Sequence, residues 1–112
     1  MQESSPLCLL YCPFPSQEAA EEAARLLLEE RLVACCNLLP AGVSLYWWEG
    51  KIERASEVTL LAKTAPALAA EAAARLETLH PYDIPAIIRL EASASADFSA
   101  WVAANAKSAK NA

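Results

Sequence analysis

Positive charge is what this sequence has least to spare, with nine Lys and Arg against fourteen Asp and Glu in 112 residues and a net charge of −5. A duplex-binding domain needs clustered cations to displace counterions, so nucleic acid is excluded as a partner and an anionic membrane surface is disfavoured. Long apolar runs are missing too. Glu, Arg and Lys punctuate every segment, well short of the ~18 to 20 residues a spanning helix requires. The first six residues hold no basic stretch, and the apolar run after them breaks at Pro13 and Pro15, before a secretory core could form. A cytoplasmic protein is expected. There is one histidine, His80, and no nucleophile can be placed beside it, which excludes a Ser/His/Asp hydrolase. With two glycines the chain lacks the Gly-rich loops of small secreted scaffolds. Cys8, Cys12, Cys35 and Cys36 instead sit among strand-like residues and are expected to be free thiols.

Hydrophobic residues make up 55% of the chain, although many are alanines with little surface to bury. The length fits one domain over residues 1–112, with an ordered core over 6–105 and a loose tail after Asn105. Leu7 to Tyr11, bounded by Pro6 and Pro13, predicts a strand. Ser16 is a good N-cap for a helix with Glu18, Glu21 and Glu22 in its early turns, a Glu21–Arg25 pair, and Ala20, Ala23, Ala24, Leu27 and Leu28 as its apolar positions. Val33 to Leu39 predicts a second strand, with a bulge or bend at Pro40 and Gly42 before strand character resumes from Val43 to Trp48. Glu49-Gly50 then makes a hairpin to a strand running from Lys51 to about Lys63. Thr64 is expected to cap a helix with Pro66 in its first turn and Leu68, Ala72, Leu76 and Leu79 as its stripe, stopped at Pro81. Ala86 to Glu91 is the last strand. Asp97 is expected to cap a short helix carrying Phe98, Trp101 and Val102 on one side.

This order is the split βαβ arrangement of α+β, ferredoxin-like folds: a βαββαβ antiparallel sheet with two helices on one face, a long central hairpin and an extra C-terminal helix. At ~3.3 Å per residue the hairpin arms would span about 50 Å, against about 20 Å for the first and last strands. The hairpin must overhang its sheet. The overhang carries Tyr46, Trp47, Trp48 and Ile52, and such a ribbon invites a partner. Both faces of the first strand are apolar as well. A closed homo-oligomer meets both demands.

Four stretches carry a resemblance: Ala34-Cys35-Cys36-Asn37-Leu38-Leu39-Pro40, Ser44-Leu45-Tyr46-Trp47-Trp48-Glu49-Gly50-Lys51, Glu57-Val58-Thr59-Leu60-Leu61-Ala62-Lys63-Thr64 and His80-Pro81-Tyr82-Asp83-Ile84-Pro85. In that order the chain resembles the CutA family of divalent-cation tolerance proteins, from about Leu7 to Trp101. The resemblance implies a ferredoxin-like homotrimer with intersubunit strand pairing, similar in architecture to PII-type signalling proteins, and an association with copper and other divalent metals. Ala86 departs from the family, which usually has Glu there.

The candidate metal ligands are Cys35 and His80, for copper or another divalent ion that folding itself does not require. Cys8 and Cys12 are four apart on a strand, ~13 Å between Cβ atoms, whereas two thiolates on one ion lie within about 4 Å. Cys35 and Cys36 point to opposite faces. Cys8, Cys12 and Cys36 are expected to be small core hydrophobes. Cys35, which matches the family's Ala-Cys-x-Asn cysteine, is a soft-metal or redox candidate. His80 is either a ligand, with the Tyr82 hydroxyl near it, or a helix C-terminal cap. Glu57 and Lys63 share the strand face turned from the helices, either as an intersubunit salt bridge or, with Trp48 and Tyr82, as the lining of a cleft. An acylphosphatase-type enzyme would need N–H donors after the first strand, where Pro13 and Pro15 stand. A metal chaperone of this topology would carry C-x-x-C, not the wider Cys8–Cys12 spacing. The reading is a non-enzymatic, trimeric metal-tolerance protein; the alternative is a PII-like sensor holding a small molecule in intersubunit clefts.

Overall fold

The computed structural model describes residues 3–107 and runs β1 (Ser4–Phe14), α1 (Gln17–Glu29), β2 (Cys35–Trp48), β3 (Lys51–Thr64), α2 (Ala69–Leu79), β4 (Ile88–Ser95) and α3 (Ala96–Asn105). The antiparallel sheet has the order β2-β3-β1-β4. This is the ferredoxin-like α+β arrangement expected from the order of elements. Cys8, Leu10, Cys12 and Phe14 of β1 and Val58, Leu60 and Ala62 of β3 alternate onto one face, where they bury Ala20, Ala23, Ala24 and Leu27 of α1 and Ala72 and Leu76 of α2. The period of two along the strands and of 3.6 along the helices puts one apolar stripe against another. Tyr11 and Leu61 on the opposite face stay half-buried.

Several local expectations change. Both β1 and β4 are longer than predicted, and Pro6 and Pro13 lie inside β1 rather than at its ends. Pro6 pairs only with β4 and Pro13 only with β3, so each sits where β1 has one neighbour and a missing N–H is tolerated. Ser16 caps α1 as expected, its Oγ accepting from the Ala19 N–H at 3.1 Å. Glu21 accepts from Gln17 at 3.0 Å instead of pairing with Arg25, and Leu28 is exposed. Thr64 is no cap. It ends β3 fully buried, its hydroxyl donating to the Leu32 carbonyl at 2.7 Å, and a 3-10 turn over Pro66–Leu68 leads into α2. Asp97 lies in the first turn of α3, after the capping position held by Ser95. In α3, Val102 is buried with Ser99, while Phe98 and Trp101 stack at 5.8 Å on the outer side. The tail from residue 108 lies outside the described residues.

The bulge expected near Pro40 is present: the β2–β3 register slips between Leu39 and Gly42. Ala41 there takes a left-handed φ of 60°. At the tip, Glu49 and Gly50 take φ of 50° and 78°, the mirror-image turn whose twist suits a hairpin. The last β1 partner on β3 is Val58, so Lys51–Glu57 run about 23 Å past the body of the sheet.

Candidate functional site

The overhanging hairpin and the loop over residues 80–87 enclose an open cleft of about 740 Å³ on the sheet face turned from the helices. Register explains its lining. Gly42 stands opposite Glu57, Ser44 opposite Ala55 and Tyr46 opposite Glu53; with the two-residue period, Ser44, Tyr46, Trp48 and Glu57 therefore present to one side. Tyr11 and Pro13 of β1 continue that face, and Tyr82 and Asp83 close the rim.

The rim is held by His80. Its extended backbone ends α2 before Pro81, as a residue preceding proline should. The imidazole stacks on Phe14 at 4.2 Å, and its Nδ1 accepts from the Tyr82 N–H at 3.1 Å while its Nε2 lies 2.7 Å from the Pro13 carbonyl. A backbone N–H only donates and a carbonyl only accepts, which fixes the neutral tautomer protonated on Nε2. Both ring nitrogens are thus engaged. His80 occupies the C-cap position of α2, but its ring ties the loop to β1 and leaves the helix carbonyls alone.

Tyr82 completes the tie. Its hydroxyl donates to Glu57 Oε2 at 2.7 Å, and Glu57 is only 8% exposed. Burial first, then the Glu57 carboxylate, push the Tyr82 phenol above its ordinary range, so it remains a donor at neutral pH.

Cys35 lies elsewhere. It pairs with Lys63, whereas Pro13, which holds His80, pairs with Thr59, about 13 Å down the same strand. Within one chain Cys35 and His80 do not meet, and Lys63 stands about 20 Å along β3 from Glu57, outside the cleft. The Lys63 ammonium instead donates to Cys35 Sγ at 3.8 Å. A cation in that place opposes another. All four cysteines are free. Burial pushes the Cys12 thiol up to about 12, with help from Glu57, and the Cys36 thiol up to about 12, with help from Cys35; burial raises Cys8 as well. Since the thiolate is what ligates a metal, these three serve as core side chains. Among the described residues no three His, Cys, Asp or Glu side chains gather as a metal site needs. The donors of a single chain do not fit a chelated divalent ion.

Of the residues singled out in the sequence, the structure brings Trp48, Glu57 and Tyr82 together and leaves Lys63 and Cys35 as a separate pair. Tyr11, Tyr46, Trp47 and Asp83 were missed as parts of the site. The hairpin register would have found Tyr46, which shares the parity of Trp48 across a two-residue turn.

A family profile described as "CutA1 divalent ion tolerance protein" matches residues 8–105. The chain belongs to this family. Among similar proteins, the divalent-cation tolerance protein CutA of Pyrococcus horikoshii is 43% identical over 97 residues, covering 86% of this chain and 94% of that protein. That of Pectobacterium atrosepticum is 39% identical over 104 residues, 89% of this chain and 94% of that protein. The crystal structure of CutA from Xylella fastidiosa superposes with a TM-score of 0.88 at 36% identity, covering 92% of this chain and all of that one. The match runs from β1 to the end of α3 and so takes in the long hairpin and the loop over residues 80–87.

Proposed function

We propose that the protein acts in divalent-cation tolerance, copper included, as a cytoplasmic homotrimer without catalytic activity of its own, and that its working site is the cleft rather than a chelating cage. The observation that carries this reading is the pairing of an overexposed hairpin with a preorganised cleft at its base. Leu45, Trp47 and Ile52 are 70%, 72% and 66% exposed, more apolar surface than a lone chain keeps in water. A second and third copy would cover it and close the open side of the cleft. The free thiols support a reducing compartment.

The PII-like reading is favoured by one specific observation: the polar groups converge on a cleft, and the soft donor Cys35 is paired with an ammonium. In this reading metal tolerance follows from a small ligand sensed between subunits. Two measurements test it. Light scattering after size exclusion should give about 36 kDa for three 12.0 kDa chains; a 12.0 kDa species would remove the assembly and the enclosed cleft. Chelator competition should show no tight copper site, and a site lost in Cys35→Ser but kept in Cys8→Ser would restore direct ligation by Cys35.

A further inference from the structure

From the chemistry of the cleft lining we infer that its ligand is an organic cation, an ammonium or guanidinium group borne on an apolar body. The inference rests on the cleft being the working site and names what it takes. Five aromatic residues border the space, Tyr11, Tyr46, Trp47, Trp48 and Tyr82, and among the described residues the only charged groups lining it are the carboxylates of Glu57 and Asp83. Among the described residues no Lys or Arg lines it. On the same face of the hairpin, Lys51 opposite Trp48 and Glu53 opposite Tyr46 offset each other.

Each feature selects for the same class. Ring faces attract a cation through their quadrupole, most strongly where water is excluded. Glu57 is nine-tenths buried and already holds one hydrogen bond, from Tyr82, so its carboxylate is oriented before any ligand arrives. An anionic ligand would meet two carboxylates with no counter-charge. A bare dication asks for about six oxygen ligands, and two carboxylates do not supply them. A volume of about 740 Å³ is that of a small-molecule site, so the cation carries an apolar body that lies against the aromatic walls.

The test is a charge series on one body, titrated calorimetrically into the protein as it assembles in solution: 4-phenylbutylammonium, 4-phenylbutan-1-ol and 4-phenylbutyrate. The ammonium is expected to bind at least about tenfold more tightly than the alcohol, and the carboxylate not at all. Glu57→Gln, which keeps the volume and a hydrogen-bond acceptor for Tyr82, should cut the ammonium's advantage over the alcohol several-fold, the Asp83 carboxylate and the ring faces keeping the remainder, while leaving the alcohol unchanged. Trp48→Ala should weaken both. Equal binding of all three, or preference for the carboxylate, overturns the cation assignment and leaves the cleft a ligand site. Failure of all three to bind overturns the cleft reading together with the inference.

Discussion

His80 shows how much one side chain can settle. It stacks on Phe14, meets the Pro13 carbonyl and receives the Tyr82 N–H, and through Tyr82 it fixes the orientation of Glu57. Replacing it with alanine strips a part-buried carbonyl and a part-buried N–H of their partners, up to roughly 1 to 3 kcal/mol each, and removes the ring stacked on Phe14. His80→Ala is expected to lower unfolding free energy by about 3 kcal/mol in a urea titration, and a loss below about 0.5 kcal/mol would show that the ring is dispensable. A lone histidine at a helix end was visible in the sequence as either ligand or cap. Its actual partners come from β1 and from two residues downstream, contacts of long and short range that a one-dimensional pattern does not carry. Thr64 is a similar case. As a threonine just before Pro66 it reads as an N-cap, but the Leu32 carbonyl lies within its reach only after the sheet has formed.

At the scale of elements, the strands and helices were legible because their apolar periods are strong, and the hairpin because its turn allows few residues. Boundaries were less so: proline reads as a stop, yet β1 carries two where one neighbour is absent. Of the cleft, Trp48, Glu57 and Tyr82 were legible, whereas its remaining walls depended on register. Both hairpin glycines are constrained, for different reasons. A Cβ on Gly42 would stand 3.0 Å from the Glu57 carbonyl oxygen, while one on Gly50 meets nothing and suffers only from the left-handed backbone. Gly42→Ala should therefore cost about 1 to 2 kcal/mol in thermal melting and shift the emission of Trp48, whose site it disturbs. Gly50→Ala should cost a similar amount through backbone strain and leave that emission alone. Equal spectral changes in both would separate Gly42 from the cleft.

For the whole molecule, shape and surface point the same way. The radius of gyration is 14.8 Å, against about 13 Å for a compact domain of this length. The excess lies in the hairpin. In the proposed trimer, folding and association are one equilibrium, so the melting midpoint should rise with protein concentration. Scanning calorimetry over a hundredfold dilution range checks this, and a constant midpoint would mean that the single chain carries its own stability.

The two-residue turn at Glu49-Gly50 has a consequence for how this protein can vary. Odd and even positions of the hairpin point to opposite sides of the ribbon, Tyr46 and Trp48 to the side of Glu57 and Leu45 and Trp47 to the other, although residues of both sets border the cleft. A single residue added at the tip that slips the register would exchange the two sets, turning Leu45 and Trp47 to the side of Glu57 in place of Tyr46 and Trp48 while the strands, their hydrogen bonds and their overall hydrophobicity stayed nearly the same. The tip therefore behaves as a reading frame: lengthening it by two residues preserves the message, lengthening it by one scrambles recognition without unfolding the messenger.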